Sequence, residues 1–192
     1  MDFEAPADAW YVWLGVSIAS VAIGGVVLGL PTGPPPDANG TANAIDRTAG
    51  SPYEAATTQP IAADEVKFGP KTIAMRNEHG VAHASIAHGE LVVVTGDERL
   101  ENLTYGTRYQ DEFEYERNRG ADRAAEAFAD HVEDAHRTTA HTWREPRSEL
   151  VVRKVPITDS DDLSASTTAR LESTDGIHID ETGMIHATLI IV

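Results

Sequence analysis

Eight histidines are the residues of this chain best suited to chemistry. An imidazole can ligate a metal through a bare ring nitrogen, or carry a proton near neutral pH. His131 and His136 stand five apart in His-Val-Glu-Asp-Ala-His, beside Glu133 and Asp134. Two histidines share a helix face best at a spacing of four; at five, the second is rotated by about 140° from the first. The order also differs from the His-Glu-x-x-His zinc motif, so the pair reads as part of a solvated helix face. His79, His83 and His88 surround one expected hairpin, and His178 and His186 surround another. A metal-ion or small-solute site would draw on these, but one-dimensional spacing does not join them. They read as surface and strand-face histidines.

Other chemistry is thinner. Carboxylate pairs such as Asp111-Glu112 and Asp161-Asp162 arise by chance among 31 acidic residues. There is no Gly-x-Ser-x-Gly elbow, no glycine-rich phosphate loop and no Asp-x-Asp-x-Asp-Gly calcium loop. Cysteine is absent, which removes thiol catalysis, iron–sulfur clusters and cysteine zinc sites. The expectation is a protein that is not an enzyme, with no catalytic residue, no metal ligand and no cofactor.

The elements that must carry these residues are legible in part. Lys71 to Arg76 and Val81 to Ala87 flank Asn77-Glu78-His79-Gly80, a good hairpin turn. Leu91 to Val94 is a short β-branched run, and Asp97 to Leu103 suits a short helix. Ala121, Ala124, Ala125, Phe128, Val132 and Ala135 recur at helical spacing, with charged residues on the opposite face. Thr138 to Arg144 reads as strand, Leu150 to Ile157 as strand, and Asp159 to Ser166 as a polar loop. Gly176 to Asp180 and Met184 to Val192 bracket a final hairpin. Tyr105, Tyr109, Phe113 and Tyr115 read as packing residues rather than a binding patch. The fold class expected is α+β: an N-terminal transmembrane helix followed by an antiparallel sheet with one main amphipathic helix packed on it.

The span is expected from Ala9 to Leu30, an uncharged run that opens on Trp10, Tyr11 and Trp13 and ends at Pro31. A helix of that length covers roughly 33 Å, against about 30 Å of hydrocarbon. Gly15, Ala22, Gly25 and Gly29 form a bare face suited to close helix packing, so a protein partner or self-association through this helix is expected. The domains expected are an acidic tail over 1–8, the transmembrane helix over 9–30, a Pro/Gly/Ala-rich linker over 31–60 and an α+β domain over 61–192. The positive-inside rule has little beyond Arg47 to count, and favours the inside. The sequons at Asn39 and Asn102 and the stalk-like linker point the other way. The expectation is a single-pass protein of the cell membrane with an extracytoplasmic C-terminal domain.

Net charge is −16, from 15 basic and 31 acidic residues. No basic stripe exists to displace counterions from a duplex, so nucleic acid is excluded as a partner. Only Lys67, Lys71 and Lys154 are lysines. Scarce lysine, excess carboxylate and no cysteine suit a protein kept hydrated in high salt.

The opening MDFEAPADAWYVWLGVSIAS, then GLPTGPPPDA and TANAIDRTAGSPY, resembles a family of uncharacterised haloarchaeal single-pass proteins found in gene neighbourhoods of type IV pilus-like systems. The resemblance covers about the first 55 residues. It implies no activity and no functional residue. It implies a structural or interaction protein, an accessory component of an archaeal cell-surface or pilus-like assembly. The alternative is an anchored domain that binds or senses a small solute or metal ion.

Overall fold

The computed structural model describes residues 9–29, 33–69, 71–88, 91–139 and 142–192. The expected acidic tail over 1–8 lies outside them. The chain divides into two units, Met1–Pro34 and Pro35–Val192.

The first unit contains helix α1, Ala9–Leu28. Its large apolar side chains are exposed around the helix, among them Trp10, Trp13, Ile18, Val21 and Leu28. An added Cβ at Gly15 or Gly25 would meet nothing within 4 Å. Among the described residues, no helix is long and apolar enough to cross a membrane. This corrects the expected transmembrane helix over 9–30. The single-pass anchoring, the transmembrane packing through Gly15, Ala22, Gly25 and Gly29, and the cell-membrane localisation that rested on it are corrected with it.

The second unit is α+β. It opens with α2 (Ala38–Ala49), capped by Asp37, whose carboxylate accepts from the Gly40 amide at 2.8 Å. Strands β1 (Ala55–Pro60), β2 (Glu65–Gly69), β3 (Thr72–Asn77), β4 (Gly80–Ser85) and β5 (Leu91–Val94) follow. Helices α3 (Glu98–Tyr105), α4 (Tyr109–Glu112), α5 (Glu114–Arg117) and α6 (Ala121–Thr139) come next. The chain closes with β6 (Glu149–Asp159), a 3-10 turn at Ser160–Asp162, α7 (Ala165–Glu172), β7 (Ile177–Ile179) and β8 (Met184–Ile191).

The main sheet runs β1-β6-β8-β5, with β7 also pairing β8. A smaller sheet, β2-β3-β4, is an antiparallel meander. The main sheet is not wholly antiparallel, because β5 pairs β8 in parallel. The chain between those two strands must cross over rather than turn back, and it supplies the helical layer.

Both faces of the main sheet are covered. Val92, Val94, Ile185, Leu189 and Ile191 pack with Phe113, Phe128, Ala129 and Val132 of the helical layer. Leu91, Val93, Leu150, Val152 and Ile190 pack with Phe68, Ile73, Met75 of the small sheet and with Ile45 of α2. Successive residues of β5 thus enter opposite cores, the result of a period of two with both faces buried.

Several boundaries differ from expectation. The segment 31–60, expected as linker, contains α2 and β1. Ala42 and Ile45 of α2 lie in the core, and β1 pairs with β6 from Ala55↔Lys154 to Pro60↔Glu149. The strand expected over 138–144 is absent among the described residues. Helix α6 runs on to Thr139, with the Thr138 and Thr139 hydroxyls donating back to the Asp134 and Ala135 carbonyls. Only Arg144 bridges to Val66. The polar loop expected over 159–166 gives way to α7, capped by Ser164.

Candidate functional site

Two places in the second unit gather polar side chains under partial cover. The first lies on the main sheet. Lys154 stands opposite Thr188, and His186 opposite both Pro156 and His178. Strand alternation puts Lys154, Thr188, His186 and His178 on one face. The His178 and His186 ring centroids are 5.9 Å apart. Lys154 is buried, and its ammonium donates to the Ser51 carbonyl at 2.6 Å. Burial holds Lys154 below the usual lysine range, with Asp180 opposing in part.

His186 is held below its ordinary value by burial first, then by the charge of Lys154 and by His178. Its Nδ1 is buried with no hydrogen-bond partner among the described residues. A neutral ring with its proton on Nε2 suits this best, since it leaves a lone pair rather than an N–H bare. Asp180 accepts from the Thr182 amide, the Thr182 hydroxyl and the Met184 amide, which holds its carboxyl below the usual range and closes the β7–β8 hairpin.

This cluster makes stability depend on pH. The unfolded His186 takes a proton near pH 6.5, while the folded one resists it. As pH falls below about 6.5 the unfolded chain therefore binds more protons than the folded one, and stability falls. His186→Gln is expected to flatten that slope in denaturation midpoints taken between about pH 7 and pH 5. An unchanged slope would assign the dependence to other groups.

The second place is a cavity of about 330 Å³ where β6 meets α4, α5 and α6. Tyr109, Gln110, Arg117, Thr158, Asp162 and Met184 line it. The Thr158 hydroxyl donates to Asp162 at 3.5 Å. The Tyr109 ring stacks on Phe113 at 5.1 Å and meets the edge of Phe128 at 5.9 Å. Its hydroxyl is buried without a partner among the described residues, and burial pushes it far above the ordinary phenol value. It stays protonated. Guanidinium, carboxylate and hydroxyl groups around one small cavity suit a small polar solute bearing charges of both signs.

A buried hydroxyl without a partner is costly. Tyr109→Phe is therefore expected to leave stability unchanged or raise it by up to about 1 kcal/mol. A loss above about 1 kcal/mol in urea denaturation would mean that the hydroxyl has a partner after all.

The other expected residues are scattered. His131 Nδ1 lies 2.5 Å from Asp97 Oδ2, whose other oxygen caps α3 through the Leu100 amide. His136 packs against Gly176, its Nε2 buried without a partner among the described residues. His79 is 3.3 Å from Glu78, and His88 is 3.6 Å from Asp46. Asp46 also accepts from the Ala87 and His88 amides, which ties that loop to α2. Among the described residues, no group of three or more histidine and carboxylate side chains could hold a metal ion. Asn39 lies exposed at the start of α2. Asn102 lies in α3, its amide donating to Glu112 at 3.3 Å, and Thr104 of that sequon is buried.

The cavity escaped sequence reasoning because Tyr109 and Arg117 carry no motif. Of the aromatic cluster, Tyr109 and Phe113 are buried, while Tyr105 and Tyr115 are exposed.

Fold and sites together define a three-layer α+β domain with a helical layer on one side of a mixed sheet and a second small sheet on the other. The chain belongs to DUF7283, a family of unknown function, which it matches over residues 4–155. No curated protein and no solved structure matches it.

Proposed function

We propose that this protein acts by contact rather than catalysis, as a structural or interaction component of a haloarchaeal cell-surface or pilus-like assembly. The observation that carries this reading is the surface of α1. Trp13 is 73% exposed, Val21 75% and Leu28 88%. A helix apolar on every side is found buried in something, and exposed apolar surface of this extent marks a site of contact.

The test is isolation of the full-length protein from its native cells under mild detergent, after chemical cross-linking. A partner recovered in fixed stoichiometry, and lost when residues 1–34 are removed, is expected. Recovery as a lone monomer would sink the proposal.

A second reading, a small-solute binding domain, is favoured by the cavity at Tyr109 and Arg117. Calorimetry with the amino acid glycine as the probe decides it: no saturable heat at any concentration up to 100-fold over protein ends this reading.

A further inference from the structure

On one side the main sheet ends at β5 and β7, both paired to β8; β5 is buried along its length, under α6. Strand β1 ends it on the other side, paired only with β6 among the described residues.

The hydrogen-bond phase of β1 follows from one observation. The Ile61 amide donates to the Ser148 carbonyl at 3.1 Å. In an antiparallel ladder, bonded pairs recur every second residue. Continuing the pairing back from 61 and 148, the bonded residues of β1 are Gln59, Thr57 and Ala55, opposite Leu150, Val152 and Lys154. Ala56 and Thr58 therefore aim their N–H and C=O groups outward, and no described residue takes them. Pro60 aims only a carbonyl outward, because proline has no N–H.

Apart from Pro60 at its end, the edge carries no charge to guard it. Ala-Ala-Thr-Thr-Gln-Pro carries no charge, in a chain of net charge −16. Proteins commonly blunt an exposed edge with lysine, an inward-pointing charge or a bulge. The nearest carboxylate, Glu54, is paired with Arg153. The outward-leaning side chains of Ala56, Thr58 and Pro60 are exposed, and two of them are small.

We infer that β1 pairs antiparallel with β1 of a second copy of this chain, about a two-fold axis at Thr57. In that register Ala56 faces Thr58 of the other copy, and each pair exchanges two backbone hydrogen bonds, four in all. One step further out, Glu54 faces Pro60 of the other copy. The missing proline N–H ends the ladder there on both sides, which sets the register. No like charges oppose each other along the seam. Two strongly acidic chains repel nearly everywhere else, so a charge-free edge is where they can meet. This rests on the reading that the protein works by contact, and names a second copy as one partner.

Because the chain has no cysteine, single substitutions give clean probes. The axis sets the two Thr57 residues as a non-bonded pair, with Cα atoms about 4.5 Å apart, inside disulfide range. Full-length Thr57→Cys is expected to form a disulfide-linked dimer under mild oxidation. Thr58→Cys, displaced from the axis, is expected to form at least tenfold less. Adding Thr58→Pro to Thr57→Cys removes an outward N–H while sparing the ladder to β6, and is expected to abolish the link. Far-ultraviolet circular dichroism checks that each variant is folded. No dimer from Thr57→Cys, equal linking at both positions, or a link that survives Thr58→Pro overturns the proposal. Removal of residues 1–34 separates this from the reading based on α1: dimers that persist without α1 support the edge alone, and dimers lost with it assign the association to α1.

Discussion

Phe128→Ala is expected to lower the stability of the second unit by about 3–5 kcal/mol, the largest loss from any single truncation proposed for this protein. Phe128 is fully buried and sits where the helical layer meets the sheet. Its ring meets Tyr109 and Phe113 edge-on, at 5.9 and 5.8 Å. Truncation loses the transfer free energy of the ring and leaves a cavity. That cavity cannot collapse readily, because its walls come from α4, α6 and the sheet together. A domain of this size has only about 5–15 kcal/mol in hand, so the variant should be close to unfolding at ordinary temperature. Urea denaturation measures it, with a lowered midpoint and an unchanged slope. Tyr115→Ala, at an exposed position, serves as the control and should stay within about 0.5 kcal/mol. A loss below about 1 kcal/mol at Phe128 would mean that this cluster is not the core of the domain.

Gly176→Ala is expected to cost about 2–5 kcal/mol, for two separable reasons. Gly176 has φ of +92°, where a side chain is strained. A Cβ built there would also lie 2.4 Å from Val92 Cγ2 and 2.9 Å from His136 Nε2. Val92 belongs to β5 and is buried, so it cannot swing aside. Gly96 separates the two terms. It has φ of +82° and open space where a Cβ would go. Gly96→Ala should show the strain alone, about 1–2 kcal/mol. Equal costs at the two glycines, measured by thermal denaturation at one pH, would show that the contact with Val92 and His136 relaxes freely.

The parts of the fold legible in the sequence are those where a strong local pattern coincides with a buried face. The Asn77-Glu78-His79-Gly80 turn joins β3 and β4, and Gly80 takes φ of +152° there. Leu91 to Val94 is a strand, and the alanine-rich stripe from Ala124 to Ala135 is the buried face of α6. The parts that were not legible lack such a pattern. Ala-Ala-Thr-Thr-Gln-Pro has no apolar alternation, and it becomes a strand only because β6 offers it a ladder. Helix α2 carries Asn-Gly near its start and has few large apolar residues; Ile45 anchors it under the small sheet. Thr138 and Thr139 favour a strand by propensity, but the preceding helix holds them through backbone-directed hydroxyls.

The candidate sites divide in the same way. Histidine positions and the aromatic cluster were visible as residues, but their company was not. His178 and His186 were expected around one hairpin, and they do face each other across it. Lys154, which lowers the proton affinity of His186, comes from a strand whose register no local pattern shows. The cavity at Tyr109 draws on α4, α5, α6, β6 and β8, so no window of sequence contains it.

The sequence by itself determined the composition of the surface: the net charge of −16, the absence of cysteine, the uncharged apolar run of α1 and the main amphipathic helix. These are sums and short-range periodicities, set by residues within a few turns of one another. Tertiary structure decided the parallel β5–β8 pair, the second small sheet, the burial of Lys154 beside two histidines and the open, uncharged edge at β1. Each of those depends on which distant strands pair and in what register, and pairing energy is shared across the whole sheet rather than written in any one strand.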